Sequence, residues 1–256
     1  MEFGYWGIKG AGETIRWLIA YLGLDVKEYN PASREEWFDT KKAQVGGEFP
    51  NLPYLVDGDF KLTESGAIPS YLIKKSGKTE LLGKTIQDEA RVRQIEGVIG
   101  DIRQNIFKVL FAADEAAVKA GVTKAFEAGG ATASKFEQLS KFLGDKEFLL
   151  GYLTYADLLA AYYSEWLWAL TTSLGVHSPA KDKFFNLATH AANIHKLPGI
   201  KERAEASQAI PYMPPAMLKF HLMTFGEVVL AETGKTTEQA VNEPTQESVA
   251  NAASKN

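Results

Sequence analysis

The period of the apolar positions changes along the chain, and those changes divide it. Phe3 to Ile8 is a short apolar run that predicts a first strand. After the tight Lys9–Gly12 loop, Ile15, Leu18, Ile19 and Leu22 recur at helical spacing. Glu13 to Leu22 therefore reads as a helix, with Gly23 as its stop. Asp25 to Tyr29 predicts a second strand. Pro31 to Gly47 reads as a loop and a poorly amphipathic helix carrying Arg34, Trp37, Lys41 and Lys42. Leu52 to Val56 is apolar and β-prone, Asp57-Gly58-Asp59 has the chemistry of a short hairpin turn, and Phe60 to Thr63 returns with alternation of period two. Ser65 is suited to cap a helix opening at Gly66-Ala67-Ile68 and closing near Gly77. The order over residues 1–77 is βαβ-α-ββα.

From there the pattern is helical. Lys78 to Ile86 reads as a linker. Gln87 to about Gly121 predicts one long helix, with Asp88 and Glu89 in its first turn, where they suit the dipole. Gly129-Gly130 precedes another helix that ends at Gly144. Thr154 with Asp157 three residues on has the logic of a capping box. The segment that follows, rich in apolar residues on every side and carrying Trp166 and Trp168, predicts a buried core helix. Further helices are expected near Asp182–His195 and Pro198–Ser207. Ile210 to Leu230 holds every methionine but the first: Met213, Met217 and Met223. Methionine adapts to irregular apolar shapes, so this stretch reads either as a lid over an apolar pocket or as a helix end packed on the core. Residues 231–256 are polar, low in aromatics, and read as disordered.

Composition narrows the class. The 256 residues are 45% hydrophobic and 23% charged, as expected for a soluble globular chain. A formal net charge of −4 argues against general nucleic-acid binding. With no cysteine, the chain has no disulfide, thiolate metal site or thiol chemistry of its own; a reacting thiol must come with a ligand. His177, His190, His195 and His221 form no metal-ligand pattern. The start lacks a signal or transit pattern. The most apolar run, Leu158 to Leu170, is too short to span a membrane, so the expected compartment is the cytoplasm.

The stretch Glu48 to Ile68 carries the candidate chemistry. Pro53 at the head of a strand gives no N–H to a ladder. With a cis bond before it, the Leu52 backbone would face outward and could pair with an extended peptide. Beside it, Ser65 at a helix start suits a carboxylate, and Glu64 suits an ammonium. An ordinary hairpin leading into a helix is the competing reading. The segments NLPYL and TESGAI resemble the glutathione-binding half-site of cytosolic glutathione transferases, and Gly4-Tyr5-Trp6-Gly7-Ile8-Lys9-Gly10 is similar to the Mu class. The likeness is dense over residues 3–75 and continues to about residue 225.

That resemblance implies an α+β architecture: a thioredoxin-like domain over 1–77, a linker at 78–86, an all-helical domain with an apolar substrate pocket over 87–230, and a tail. It implies an enzyme that conjugates the glutathione thiolate to small apolar electrophiles in detoxification. Glutathione would be its co-substrate, with no further cofactor and no metal, and the working unit would be a homodimer. Tyr5 would be the catalytic hydroxyl and Trp6 would line the site. Trp37 and Lys41 match the pair that holds the glycyl carboxylate, with Arg34 in the same lip. Asn51, Leu52 and Pro53 would take the cysteinyl unit, and Ser65 the γ-glutamyl carboxylate. Glu64 stands where the Mu class usually has glutamine. Asp101 matches an acid that reaches the glutathione amine across a dimer interface; Gly97 and Gly100 would let two such helices approach. Phe111, Met213, Met217 and Phe220 would form the substrate pocket. Phe111 stands where Mu enzymes often have a second tyrosine, and Ala11 where they have leucine. The rival readings are a glutathione-dependent isomerase and a non-catalytic ligand-binding or scaffold protein on the same fold.

Overall fold

The computed structural model describes residues 1–177, 183–213, 217–218 and 221–233. Four short strands make one mixed sheet: β1 (Glu2–Gly4), β2 (Lys27–Tyr29), β3 (Tyr54–Asp57) and β4 (Phe60–Thr63), in the order β2-β1-β3-β4. β1 pairs parallel with β2, with Gly4 opposite Tyr29, and antiparallel with β3, with Gly4 opposite Tyr54. β3 and β4 form the expected hairpin, Asp57 opposite Phe60, with Gly58 at a positive φ of 59° in the turn. The Leu52–Pro53 peptide bond is cis.

Helix α1 (Glu13–Leu22) has the predicted bounds, and Gly23 ends it in the left-handed conformation at φ 64°. The next helix begins as a π-helical stretch, Glu36–Lys41, and runs on into α2 (Lys42–Val45). Helix α3 (Ala67–Ser76) departs from expectation at its start: Gly66 is the cap, with no side-chain cap bond. The Glu64 carbonyl instead accepts the N–H groups of Ala67 and Ile68, at 3.0 and 3.1 Å. Glu64, at φ 77°, turns the chain so that its own backbone supplies the acceptor Ser65 was expected to give. In the 78–86 segment, Thr79–Leu82 forms a 3₁₀ turn that buries Leu81 and Leu82.

The helical half contains α4 (Ile86–Leu110), α5 (Glu115–Phe126), α6 (Ala131–Leu143), α7 (Tyr155–Ser173), α8 (Phe185–Ile194), α9 (Ile200–Ala206) and α10 (Phe225–Thr233). The predicted single helix from Gln87 to Gly121 is therefore two. Asp114 divides it: its carboxylate accepts the Ala117 N–H at 2.8 Å and caps α5. Helix α10 reaches Thr233, three residues into the segment read as disordered; the rest of that segment lies outside the described residues.

Helix α7 is the centre of the core, packed by α1, α4, α8 and α10. Its start carries the predicted cap. Asp157, fully buried, accepts the Thr154 N–H at 2.8 Å, the Thr154 hydroxyl at 2.8 Å and the Leu149 N–H at 2.7 Å, and lies 3.0 Å from His190 Nε2. One apolar core runs from Phe3 and Ile15 through Ile102 and Leu167 to Tyr212 and Val228, so the sheet and the helices share it. A second, smaller cluster of Trp37, Val45 and Tyr54 lies beside the sheet.

Candidate functional site

The register gathers the candidate residues. Tyr5 and Trp6 follow β1, Pro31 to Arg34 follow β2, Leu52 and Pro53 precede antiparallel β3, and Glu64 and Ser65 follow β4. With Gly4 opposite both Tyr29 and Tyr54, and Tyr54 opposite Thr63, all four segments emerge at the same end of the sheet.

Tyr5 opens onto a cavity of about 950 Å³ between that end and the helices. Trp6, Ile8 and Ala11 line one side and the Pro31–Arg34 loop another. Arg103, Gln104 and Phe107 come from α4, Tyr163 and Trp166 from α7, and Met213 and Met217 from the C-terminal segment. The wall is mostly apolar; its polar side chains are Tyr5, Ser33, Arg34, Arg103, Gln104 and Tyr163.

The Tyr5 side chain is largely buried, and its hydroxyl oxygen accepts the Ala11 N–H at 3.1 Å. With that oxygen satisfied by the backbone, the phenolic proton remains to be donated to a ligand. Burial pushes the phenol above its ordinary pKa, while the Ala11 N–H and the charges of Arg16 and Arg103 pull the other way. The phenol thus stays protonated at neutral pH, as a donor must be.

The loop over Tyr5 requires glycine. A β-carbon on Gly10 would lie 2.6 Å from the Tyr5 hydroxyl oxygen, and one on Gly12 would lie 2.5 Å from its ring. Gly10 also has φ 42°, which favours glycine. Arg16 clamps the same loop from α1. It donates to the Trp6 carbonyl at 3.0 Å and the Ile8 carbonyl at 2.7 Å, and is held by Glu28 at 2.6 Å. Its guanidinium lies 5.7 Å from the Tyr5 ring centroid.

The other predicted residues fall in three groups. Arg34 is exposed at the cavity lip. Asn51, Glu64 and Ser65 are exposed or half-buried at the sheet end, and their side chains make no hydrogen bond among the described residues; Leu52 is half-buried and Pro53 buried beside them. Trp37 and Lys41 lie further back. Trp37 is buried, stacked on Tyr54 with ring centroids 5.9 Å apart, and Lys41 binds Glu2 at 3.1 Å with its ammonium 4.2 Å from the centre of the Tyr29 ring.

Phe111 and Asp101 do not line the cavity. Phe111 is half-exposed beyond the end of α4; its neighbour Phe107, 6.0 Å away between ring centroids, holds the wall in its place. The helix ends at Leu110, which leaves Phe111 as its C-cap with φ −99° and ψ 25°. Asp101 is exposed on α4 and pairs with Lys135 at 2.8 Å. Phe220 lies outside the described residues. Met213 and Met217 both line the cavity.

Sequence reasoning missed Arg16, Arg103 and Tyr163. Arg103 faces the Tyr163 hydroxyl, whose pKa burial pushes up to about 12 against that pull. Each sits in a helix where its neighbours set the periodicity, so no local signal marked it.

The sequence profile of the glutathione S-transferase N-terminal domain matches residues 1–74, and that of the C-terminal domain matches residues 100–205. A glutathione S-transferase of Tyrophagus putrescentiae is 32% identical over 212 residues, 80% of this chain and 89% of that protein. The class-mu 26 kDa isozyme 51 of Fasciola hepatica is 36% identical over 152 residues, 59% of this chain and 65% of that protein. Glutathione S-transferase Mu 1 of Bos taurus is 33% identical over 167 residues, 62% of this chain and 72% of that protein. The crystal structure of the glutathione S-transferase Blo t 8 superimposes with a TM-score of 0.69 at 28% identity, covering 86% of this chain and 99% of that one. The chain belongs to the glutathione S-transferase family. Two of these relatives carry a Mu-class name, in line with the Gly4-Tyr5-Trp6 resemblance. The fold is accordingly a thioredoxin-like half followed by a helical half, and the enzyme class is transferase, with glutathione as co-substrate. No helix among the described residues is long and apolar enough to cross a membrane.

Proposed function

We propose that this chain conjugates the glutathione thiolate to small apolar electrophiles, with Tyr5 as the catalytic hydroxyl. The observation that carries the reading is the Tyr5 hydroxyl on the wall of the apolar cavity, its oxygen held by the Ala11 N–H and its proton left to give. A glutathione thiol has a pKa near 8.5 when free, and the thiolate is the nucleophile. A hydrogen bond donated to the sulfur anion contributes about 1.5–3 kcal/mol, which lowers the thiol pKa by roughly one to two units. The N-terminus of α1 adds a favourable field. In the reaction the sulfur lone pair forms the new C–S bond. The electrophile's leaving group departs with its electron pair, or an activated double bond takes up the electrons. The thiol proton goes to solvent.

In this reading glutathione lies across the end of the sheet. Asn51, Leu52 and Pro53 take its cysteinyl unit and Glu64 with Ser65 its γ-glutamyl end, a role to which their unengaged polar groups are suited. Trp6 and Arg34 border the thiol and glycyl side. Trp37 and Lys41 hold the glycyl carboxylate once Lys41 exchanges Glu2 for it. The electrophile occupies the space between Phe107, Met213 and Met217. Asp101 serves the neighbouring subunit of a homodimer, exchanging Lys135 for the glutathione amine. A β-carbon at Gly97 or Gly100 would meet open space, so that face of α4 is free to receive a second helix. The expected setting is detoxification in the cytoplasm.

The test is a pH titration of glutathione bound to the purified protein, followed by thiolate ultraviolet absorbance, with turnover of a generic aromatic halide alongside. The bound thiol should titrate well below 8.5, and Tyr5→Phe should return it toward that value and remove most of kcat. A bound thiol that titrates alike in both proteins would remove Tyr5 from the mechanism.

A further inference from the structure

Four polar groups lie buried behind the Tyr5 loop and take no part in the reaction described above. Lys9, 2% exposed, donates its ammonium to Glu165 of α7 at 2.7 Å. Glu165 also accepts the Tyr212 hydroxyl and lies 3.0 Å from His195 Nε2. Burial opposes the charge on Glu165, but Lys9 and His195 outweigh it and hold its carboxyl down at about 2. The Lys9 ammonium sits 4.6 Å from the centre of the Tyr212 ring, in cation–π range. Tyr212 in turn stacks on Trp166 at an interplanar angle of 2°.

The backbone repeats the same connection. The Lys9 N–H donates to the Pro211 carbonyl at 2.8 Å and the Gly10 N–H to the Tyr212 carbonyl at 3.0 Å. The next N–H along the chain is that of Ala11, the one received by the Tyr5 hydroxyl. Residues more than 200 positions away thus fasten the two peptide units that precede the donor to Tyr5. The linkage is tight, because the Gly10 backbone passes so close to the hydroxyl that a β-carbon there would be 2.6 Å from it. A small slide of Lys9–Gly10 therefore moves Ala11 against the hydroxyl directly.

We propose that Tyr212 is a positioning residue for Tyr5: gripping Lys9 and Glu165, it fixes the Lys9–Gly10 backbone so that the Ala11 N–H meets the Tyr5 hydroxyl. The inference rests on Tyr5 being the thiolate's donor. An N–H aimed at the phenolic oxygen draws charge from it and strengthens the O–H as a donor to sulfur. Stability alone is a weak account of the cluster, since a buried ion pair is often no more stabilising than an apolar filling of the same volume. Arg16 and Arg103 also act on the Tyr5 phenol, and Glu13 lies close enough to influence Tyr212; all three stay in place in the variants below.

The experiment is a double-mutant cycle on the full-length protein with glutathione as the probe: wild type, Tyr5→Phe, Tyr212→Phe and the double variant. The readouts are the pKa of the bound thiol, the glutathione dissociation constant and kcat. Tyr212→Phe keeps the ring beneath Lys9 and removes only the hydroxyl. It should raise the bound thiol pKa by about half a pH unit and lower kcat about threefold, with the dissociation constant for glutathione changed less than about twofold. In the Tyr5→Phe background the same change should have no effect on the thiol. Tyr212→Leu, which also strips the ring from Lys9, should act in the same direction and further.

An equal rise in both backgrounds would mean that Tyr212 acts on the site in general, and would overturn the proposal. So would a bound thiol unmoved by either Tyr212 variant while Tyr5→Phe shifts it; the catalytic reading of Tyr5 would then stand without this support. If Tyr5→Phe itself leaves the thiol unmoved, the catalytic reading falls and the positioning inference falls with it.

Discussion

Gly12→Ala tests the geometry at Tyr5 without removing any polar group. Gly12 has φ −87° and ψ −25°, so alanine is accommodated by the backbone there. The added carbon, however, would lie 2.5 Å from Cδ1 and 2.8 Å from Cγ of Tyr5, and 3.2 Å from an Arg16 nitrogen. Unstrained carbon contacts fall at about 3.5–4.0 Å, so the ring and the loop must part by roughly 1 Å. Loop and ring are pinned from opposite sides, by Arg16 on the Trp6 and Ile8 carbonyls and by the core around Phe3 and Ile15. The displacement therefore falls on the hydroxyl and its bond from Ala11. Misplacing a catalytic group by about 1 Å can lower the rate about a hundredfold. Stability should fall by only about 1–3 kcal/mol, the usual range for one added carbon in a packed site. The assay is kcat with an aromatic halide and the bound-thiol pKa, alongside urea unfolding to show that the variant is folded. A folded Gly12→Ala protein with wild-type kcat and thiol pKa would refute the close packing of loop and ring on which the reading of Tyr5 rests.

Four further outcomes follow from the described contacts. Asp157→Ala removes an acceptor shared by Leu149, Thr154 and His190 in the core, and should lower unfolding free energy by about 3–5 kcal/mol; a loss under about 1 kcal/mol by urea titration would contradict the cap's importance. Glu165 has its carboxyl held at about 2, below the ordinary 4.5, so its ionised form favours the fold; this contribution is complete above about pH 4.5 and is lost as pH falls toward 2. Of the order of 3 kcal/mol is at stake, and unfolding midpoints between pH 5 and 2 should fall less steeply in Glu165→Gln than in wild type. Phe111→Tyr should change kcat with any electrophile less than about twofold, because the side chain is half-exposed and does not line the cavity; a marked gain in activity toward substrates that need a second hydroxyl would contradict that placement. Phe107→Ala, by contrast, should raise KM for bulky apolar electrophiles several-fold without moving the glutathione dissociation constant, as steady-state kinetics and calorimetry would show.

Features set by near neighbours were legible in the sequence. Gly23 stops α1 because only the preceding turn is involved, and the Asp57–Phe60 hairpin follows from two turn residues. Thr154 and Asp157 mark the start of α7 because a capping box spans four residues. The gathering of Tyr5, Leu52 and Ser65 was legible through family motifs; the register explains it physically, since each segment leaves a strand at the same end. The break at Asp114 was not legible, because an Asp-Glu pair between alanines looks like a solvated helix face until the Asp114 bond to the Ala117 N–H is seen. The pairing of Lys9 was not legible because its partner Glu165 is 156 residues away, and no periodicity reports such a pair. The same holds for Arg103 and Tyr163, whose helices show only which faces are apolar.

The grip of Pro211 and Tyr212 on Lys9 and Gly10 also bears on the order in which the nascent chain acquires its parts. Most of Arg16's partners (Trp6, Ile8, Glu13, Glu28 and Asn30) are made within the first thirty residues. The sheet end can begin to form as soon as the Phe60–Thr63 strand leaves the ribosome. The Lys9–Gly10 backbone cannot reach its Pro211 and Tyr212 partners until residue 212 has emerged, some 150 residues after that strand, which at about 5–20 residues per second is roughly 7–30 s. A ribosome-bound chain stalled short of that point would hold the sheet end but lack the Pro211 and Tyr212 contacts to Lys9 and Gly10.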